Sequence, residues 1–191
     1  MYELICIGAS WGGFDAIVRL LSGLSSAVEQ PIVIAQHRSP ESIEGTLAGL
    51  LATQTTRTVA DAEDKLPLEP NRIYLAPPDY HLLVERGSLA LSLEGHVHFA
   101  RPSIDVLFES AADAYAEAAV GVILTGANQD GAAGLARIKE RGGVAIVQDP
   151  AGATRRAMPD AAIAATDADA VLPLEEIPPF LYGLCADVTP Q

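Results

Sequence analysis

Three residue types that can cooperate in hydrolysis each follow a short apolar run of the sequence. Ser10 offers a hydroxyl, His37 an imidazole and Asp130 a carboxylate. An imidazole can accept the proton of a hydroxyl that attacks a carbonyl carbon, and a carboxylate orients the imidazole and stabilises its charged form. These residues therefore predict nucleophilic catalysis, with Ser10 as nucleophile, His37 as base and Asp130 as the partner of the base.

Each of these residues also fits an ordinary structural role. Ser10 lies in a glycine-rich segment, residues 8–13, where a tight turn into a helix exposes a hydroxyl and aims backbone N–H groups at one point. The same turn suits a serine that only caps the helix. His37 fits an ordinary loop position, and Asp130 fits a helix N-cap. Asp105, which follows another turn, competes with Asp130 for the third role.

The pattern of apolar residues predicts the elements that position these side chains. Short runs rich in Val and Ile alternate with helical patterns along most of the chain, which indicates a parallel sheet covered on both faces. We predict the α/β fold class: a doubly wound, mostly parallel sheet with helices on both faces, in a single domain over residues 1–191. Ligands of such sheets bind beyond the carboxyl ends of the strands, where Ser10, His37 and Asp130 are expected.

Other segments add detail to this prediction. Two apolar runs within residues 73–93 flank a turn, which predicts an antiparallel hairpin in or beside the sheet. A helix is expected around residues 43–51, after the second strand. An Ala-rich helix is expected over residues 105–118, and a closing helix over residues 175–184.

Composition and charge exclude several classes of protein. The chain has 191 residues, of which 49% are hydrophobic and 19% charged, so a sizeable core is possible and a disordered chain is excluded. Its 12 basic and 25 acidic residues give a net charge of −13, which argues against nucleic acid or an anionic lipid surface as a partner. No signal peptide or membrane-length apolar stretch is visible. We expect a soluble, cytoplasmic protein with no membrane insertion.

Other polar clusters predict no additional site. Asp61 and the nearby acidic residues are expected to form a solvated turn, and His81 is expected at the surface. His96 and His98 have no Cys or carboxylate in a recognisable ligand spacing, so no metal is expected. The glycine turn lacks the G-x-G-x-x-G and Walker patterns, and the second strand ends without a carboxylate for a ribose, so no nucleotide cofactor is expected.

Seven short segments together resemble the catalytic domain of the chemotaxis protein-glutamate methylesterase, CheB. Each segment is weak alone, but their combination and order make a specific match. The resemblance extends from residue 7 to residue 175, nearly the whole chain. The segments that carry it are residues 8–13, 35–37, 60–64, 73–81, 101–108, 121–126 and 130–132.

This resemblance implies a serine hydrolase that demethylates glutamate γ-methyl esters of chemoreceptors and releases methanol. The family also deamidates certain receptor glutamines to glutamate. Its Ser–His–Asp triad corresponds to Ser10, His37 and Asp130, the residues reached above from their positions after strands. The implied partner is a methyl-accepting chemoreceptor or a related signalling protein, with no cofactor and no nucleic acid.

The sequence departs from the family pattern at two positions near the expected oxyanion hole. Trp11 stands where the family commonly has Thr, and Ala127 stands where it commonly has Met. The backbone N–H groups of both residues can still bind an oxyanion, but the indole of Trp11 is expected to narrow or reshape the substrate mouth. The best-known members begin with a phosphorylatable receiver domain. We expect a stand-alone catalytic domain here, and the sequence identifies no regulator acting in trans.

Two other functions stay open at the level of the sequence. The chain fits a catalytically weak interaction module of a signalling system, with Trp11 as an anchor for a partner and Ser10 in a helix cap. It also fits an esterase or deamidase that acts on a different protein, because triad chemistry does not select the acyl donor.

Overall fold

The strands and helices follow the apolar runs of the sequence. The structure, a computed structural model, describes residues 1–186. Within this range the strands are β1 (Leu4–Ala9), β2 (Ile32–Gln36), β3 (Thr58–Asp61), β4 (Arg72–Leu75), β5 (His81–Glu85), β6 (Ser88–Ser92), β7 (Ala119–Ile123), β8 (Val144–Gln148) and β9 (Ala170–Leu172). The α-helices are α1 (Gly13–Gly23), α2 (Thr46–Ala52), α3 (Ile104–Tyr115), α4 (Ala132–Glu140), α5 (Ala157–Ala165) and α6 (Ile177–Cys185).

Seven parallel strands form the main sheet in the order β3-β4-β2-β1-β7-β8-β9. The central strand, β1, pairs with β2 on one side and β7 on the other, so that Cys6 lies opposite both Val33 and Gly121. Every residue of β1 is buried, because both faces of the sheet are covered. The predicted doubly wound, mostly parallel α/β sheet is confirmed.

Side chains of β1 enter two apolar cores in alternation. Leu4 and Cys6 pack with residues of α3, α4, α5 and the hairpin on one face. Ile5 and Ile7 pack with residues of α1, α2 and α6 on the other face. This alternation follows from the two-residue period of a strand and explains why the sequence of β1 is apolar throughout.

The predicted antiparallel hairpin is also confirmed. β5 and β6 pair with each other and form a separate two-stranded sheet, with Gly87 at positive φ in the turn. The hairpin packs on α3, where the Ser110 hydroxyl accepts the Val84 N–H at 2.9 Å. It therefore covers part of α3 without extending the main sheet.

The helix expected around residues 43–51 is shorter and begins later. α2 has seven residues and buries Leu51 against the sheet. Ile43 precedes the helix and is 78% exposed, and Leu50 is 52% exposed. A helix of two turns directs only one narrow face inward, so apolar residues outside that face remain in solvent.

An edge strand that the sequence analysis did not predict, β3, ends at Asp61. The expectation of a solvated turn is wrong for Asp61, because its side chain is only 8% exposed. It lies 3.2 Å from the Arg38 guanidinium and accepts the Gly45 N–H at 2.5 Å. The partner cation is 23 positions away in the chain, so no local pattern of charges indicated it.

The strand order brings the segments that carry the predicted site residues to one edge of the main sheet. The chain passes from β1 to β2 on one side and later returns to β7 on the other side of β1. In open α/β sheets such a reversal leaves a crevice beyond the carboxyl ends of the strands. Ser10, His37 and Asp130 lie in the segments that follow these three strands. No helix within residues 1–186 is both long and apolar enough to cross a membrane.

Candidate active site

Backbone hydrogen bonds hold the segments after β1, β2 and β7 side by side. The His37 N–H donates to the Ala9 carbonyl at 3.0 Å. The Ser10 N–H donates to the Thr125 carbonyl at 2.9 Å. These contacts continue the pairing of the central strands, so the candidate residues start from a fixed backbone.

His37 and Asp130 form a direct pair. Nε2 of His37 lies 2.6 Å from Oδ2 of Asp130. The His37 side chain is 13% exposed, and the Asp130 side chain is fully buried. The carboxylate fixes the orientation of the ring and favours a proton on Nε2, which leaves Nδ1 as the nitrogen able to accept another proton.

The first residues of α3 hold the Asp130 carboxylate in place. Oδ1 accepts hydrogen bonds from the Ser103 hydroxyl at 2.8 Å and the Asp105 N–H at 3.1 Å, and Oδ2 accepts the Ile104 N–H at 2.7 Å. Burial alone raises the pKa of Asp130, but the hydrogen bonds from His37 and from these groups outweigh it and hold the pKa below its usual value. Asp130 is therefore an anion suited to stabilise a charged imidazole.

Asp105, the competing carboxylate, has a different role. Its Oδ1 accepts the N–H groups of Gly131 at 2.9 Å and Gly134 at 2.7 Å, at the start of α4. Its Oδ2 lies 3.3 Å from Nε2 of His98. Burial raises the pKa of Asp105 to about 6. Asp105 thus caps α4 and pairs with His98, and Asp130 alone of the two contacts His37.

His81, expected at the surface, is buried next to Ser103, directly before α3. It is 1% exposed; Nδ1 accepts the Ser103 N–H at 3.2 Å, and Nε2 donates to the Gly95 carbonyl at 3.0 Å. The expectation is wrong because the hairpin packs against the main body, so the first residue of β5 faces inward. His81 therefore helps to place Ser103, which in turn holds Asp130.

Ser10 lies at the expected turn between β1 and α1. Its carbonyl accepts the Gly13 N–H and the Gln36 side-chain amide, both at 2.8 Å. Gly12 adopts a φ of 77°, which a glycine accommodates without strain. Within residues 1–186, the Ser10 hydroxyl is not hydrogen-bonded to His37, so the structure joins only two of the three predicted residues directly. Ser10 follows Ala9, whose carbonyl accepts the His37 N–H, so its backbone lies next to that of His37.

Trp11 and Ala127, the predicted oxyanion residues, lie close to Thr125, which is two residues beyond the end of β7. Trp11 is 62% exposed, and Ala127 is also exposed. The Thr125 hydroxyl donates to the Trp11 carbonyl at 2.9 Å. Among the described residues, the backbone N–H groups of Trp11 and Ala127 donate to no backbone carbonyl, which leaves both available as donors.

Two depressions border His37. One is an apolar groove of about 450 Å³ that runs along α2, and the exposed side chains of Ile43 and Leu50 line it. The other is a more polar cleft of about 350 Å³. The groove is lined by Phe14, Ile43, Leu47 and Leu50, and the cleft by Arg38, His96, His98, Phe99 and Arg101.

One cluster has the spacing of a metal site but not the free ligand atoms. Ligand atoms of His98, Asp105 and Asp130 lie within 4.8 Å of one another. Both oxygens of Asp130 already accept hydrogen bonds from α3 and from His37. A metal ion would have to displace these donors, so the cluster fits a hydrogen-bond network better than a metal centre.

Two residues that contact the candidate site, Ser103 and Thr125, have no distinctive signal of those contacts in the sequence. Ser103 is the N-cap of α3, with its hydroxyl also accepting the Val106 N–H at 3.4 Å. A serine directly before an apolar helical pattern is a signal for such a cap. Nothing in the sequence indicated that the same hydroxyl also contacts Asp130, or that Thr125 joins two loops of the site.

The fold and the geometry together define a class of protein: an α/β protein with a His–Asp pair and a serine in the segments that follow its central strands. Comparison with known proteins narrows this class. The model of the CheB methylesterase family matches residues 5–181, and the chain belongs to this family.

Individual relatives agree with this assignment. A relative from Leptospira interrogans, described as a putative protein-glutamate methylesterase/protein-glutamine glutaminase, is 46% identical over 92% of this chain and 91% of its own length. Protein-glutamate methylesterase FrzG of Myxococcus xanthus is 40% identical over 92% of this chain and 53% of its own length. The CheB methylesterase catalytic domain of Thermotoga maritima superposes with a TM-score of 0.90 at 32% identity, covering 96% of this chain and 99% of that domain. The chain thus spans about half the length of some relatives and nearly all of others.

Proposed function

We propose that this chain hydrolyses γ-methyl esters of glutamate residues in a protein, with Ser10 as nucleophile, His37 as base and Asp130 as the partner of His37. The observation that carries the proposal is the 2.6 Å contact between His37 and Asp130 on the sheet edge that also carries Ser10. Membership of the CheB methylesterase family supports the choice of ester.

In the first step, Oγ of Ser10 forms a bond to the ester carbonyl carbon while Nδ1 of His37 takes the hydroxyl proton. Asp130 stabilises the resulting imidazolium. The N–H groups of Trp11 and Ala127 donate to the oxyanion, a contribution that is worth about 10²–10³ in rate for a single donor in other hydrolases. The intermediate collapses, the carbon–methoxy bond breaks, and methanol leaves with the proton from His37.

In the second step, water attacks the acyl-Ser10 ester. His37 takes a proton from the water and returns it to Oγ of Ser10 as the acyl bond breaks, which releases the glutamate carboxylate. The same sequence with ammonia as leaving group converts glutamine to glutamate, an activity that the names of several relatives include. The proposed substrate is a chemoreceptor or related signalling protein, reached from the cytoplasm.

The exposure of Trp11 favours a second candidate, a catalytically weak interaction module with Trp11 as an anchor. The two functions differ in whether Ser10 reacts. A test therefore measures methanol release from a methyl-esterified receptor fragment by wild type and by Ser10→Ala. We expect Ser10→Ala to lose at least about 10³-fold in rate while it keeps the wild-type unfolding midpoint, because removing the nucleophile removes the covalent pathway.

Ser26→Ala is the matched control, because Ser26 is an exposed serine in the loop between α1 and β2, at the opposite end of the strands. It is expected to retain the wild-type rate. A serine-directed phosphonate should label wild type at Ser10 and leave Ser10→Ala unlabelled, as read by peptide mass spectrometry. A Ser10→Ala variant that releases methanol at the wild-type rate contradicts the assignment, and a wild type that neither releases methanol nor is labelled favours the interaction module.

A further inference from the structure

One basic side chain beside the candidate nucleophile has no ionic partner among the described residues. Residues 1–186 contain all 12 Lys and Arg residues of the chain. Ten of them pair with carboxylates, and Arg57 donates to the Ser25 and Val28 carbonyls. Arg155 is exposed, and its guanidinium makes neither an ion pair nor a hydrogen bond with any described residue. The chain has 25 acidic residues, so an arginine without an ionic partner among the described residues is unusual in it.

The backbone of Arg155 is fixed against the loop that carries Ser10. The Arg155 N–H donates to the Thr125 hydroxyl oxygen at 2.9 Å, and that hydroxyl donates to the Trp11 carbonyl at 2.9 Å. The neighbouring residue, Thr154, packs so closely on the glycine turn that a Cβ at Gly12 would lie 2.6 Å from it. Arg155 therefore lies against the loop that carries Ser10 and is held there by direct contacts.

The indole of Trp11 supports the Arg155 guanidinium. Cζ of Arg155 lies 5.5 Å from the centroid of the Trp11 ring. An arginine over an indole face is attracted by the ring quadrupole, and the planar guanidinium keeps its edge N–H donors free for another acceptor. Trp11 thus holds a cationic fork beside Ser10 without satisfying its hydrogen bonds.

We infer that Arg155, supported by Trp11, binds a side-chain carboxylate of the substrate polypeptide close to the ester that Ser10 attacks. The inference rests on the proposed function and adds a substrate class to it: an acidic segment, with Asp or Glu within about one helical turn of the methylated glutamate. A guanidinium fork matches a carboxylate in a bidentate contact. The ester carbon of a glutamate side chain lies only about 4 Å from its Cα, so neighbouring substrate residues must pass over the groups around Ser10.

The overall charge of the chain does not attract an acidic substrate. A net charge of −13 repels an acidic substrate at long range. That repulsion is largely screened beyond about 8 Å at physiological ionic strength, whereas a contact at hydrogen-bond distance is screened less. A guanidinium at the mouth with free donors supplies the attraction where the substrate is bound.

The test compares two glutamyl methyl ester peptides of equal length that differ only in one residue flanking the ester, Glu in one and Gln in the other. Methanol release gives kcat and KM for wild type, Arg155→Gln and Arg156→Gln. Arg156 is the matched control, because it is also exposed but already pairs with Asp160 at 2.6 Å. We expect wild type to favour the acidic peptide by about three- to fivefold, through KM.

Arg155→Gln is expected to abolish this preference, and Arg156→Gln to keep it. Arg155→Lys, which retains the charge without the fork, is expected to keep part of it. Equal kcat/KM of wild type on both peptides overturns the inference and leaves hydrolysis by Ser10 standing. A loss of kcat in Arg155→Gln that is the same for both peptides also overturns it, because Arg155 then acts on the reaction centre. A wild type that hydrolyses neither peptide overturns the proposed function as well.

Discussion

Two neighbouring buried carboxylates, Asp130 and Asp105, have pKa values that shift in opposite directions. Asp130 accepts hydrogen bonds from His37 and from the start of α3, and these outweigh burial and lower its pKa. Burial dominates at Asp105 and raises its pKa to about 6, although the Gly134 N–H opposes the shift. The difference gives His37 a charged partner in Asp130 and leaves Asp105 to titrate near pH 6.

Asp105 is expected to make the protein less stable as pH rises from about 4 to about 6. The pKa of an Asp in an unfolded chain is about 3.9, and that of Asp105 in the folded chain is about 6. Between these values the folded state binds more protons than the unfolded state, so this residue's contribution to the free energy of unfolding falls with pH and is constant above about pH 6. Asp105→Asn removes the contribution.

Urea unfolding of wild type and Asp105→Asn at about pH 4.5, 5.5 and 7.5 measures this effect. The free energy of unfolding of Asp105→Asn minus that of wild type should increase as pH rises and then stay constant above about pH 6. A difference that is the same at all three pH values contradicts the raised pKa. A loss of the same size at every pH reports only the weaker hydrogen bonds of the amide to Gly131 and Gly134.

At the scale of elements, α3 and α4 cap each other. Asp130, just before α4, accepts the Ile104 and Asp105 N–H groups at the start of α3. Asp105, in the first turn of α3, accepts the Gly131 and Gly134 N–H groups at the start of α4. We call this arrangement the reciprocal cap. It satisfies N–H groups that a helix cannot bond internally, and it places a negative charge at each positive helix end.

Gly134 is expected to be essential to the reciprocal cap. A Cβ at this position would lie 2.6 Å from Cβ of Phe108 and 2.9 Å from the Asp105 carbonyl oxygen. Gly134→Ala therefore has to push α3 and α4 apart, and it should lower the free energy of unfolding by about 1–3 kcal/mol. Urea denaturation followed by circular dichroism measures the change.

Gly49→Ala is the matched helical control for this substitution. Gly49 lies in α2, and a Cβ added there would lie more than 4 Å from the neighbouring residues that the structure describes. Alanine there should raise the free energy of unfolding by up to about 1 kcal/mol, through helix propensity and a less flexible unfolded chain. Similar changes for the two variants would show that the close contact at Gly134 relaxes without cost.

At the scale of the whole molecule, the sequence predicts the central sheet better than its edge. β1, β2, β7 and β8 are continuous apolar runs because both faces of the sheet are covered, and such runs are recognisable without knowledge of their partners. β3 was missed because this edge strand has no fully buried residue. The pattern that marks a central strand is therefore absent from it.

The same limit applies to the site. The placement of Ser10, His37 and Asp130 at one edge of the sheet could be predicted because each follows a central strand, and the ends of parallel strands meet at one edge. Ser103 is 27 residues from Asp130, and Thr125 is 114 residues from Trp11. Their contacts depend on how helices and loops pack after the sheet has formed, which no local pattern encodes.

The two cysteines are expected to report different degrees of unfolding. Burial raises the pKa of Cys6 strongly and that of Cys185 to about 11, so neither thiol reacts readily in the folded state. Cys6 lies in β1 between two paired strands, whereas Cys185 is the last residue of α6. Opening α6 exposes Cys185 locally, but Cys6 requires the central sheet to open.

Alkylation in low urea, followed by peptide mass spectrometry, should therefore label Cys185 at least about tenfold faster than Cys6. Cys185→Ser provides the control, because labelling of Cys6 should then follow the global unfolding transition measured by circular dichroism. Equal labelling rates of the two thiols below that transition would contradict a central sheet that opens last.

The reciprocal cap also supports the proposed chemistry. Ser10 and His37 directly follow strands β1 and β2, whereas the N–H groups that hold the Asp130 carboxylate belong to the start of α3, which is joined to α4 through Asp105. A chain in which α3 and α4 separate therefore keeps the hydroxyl and the imidazole but loses the groups that orient the carboxylate. We expect such a chain to hydrolyse the ester more slowly than the intact protein.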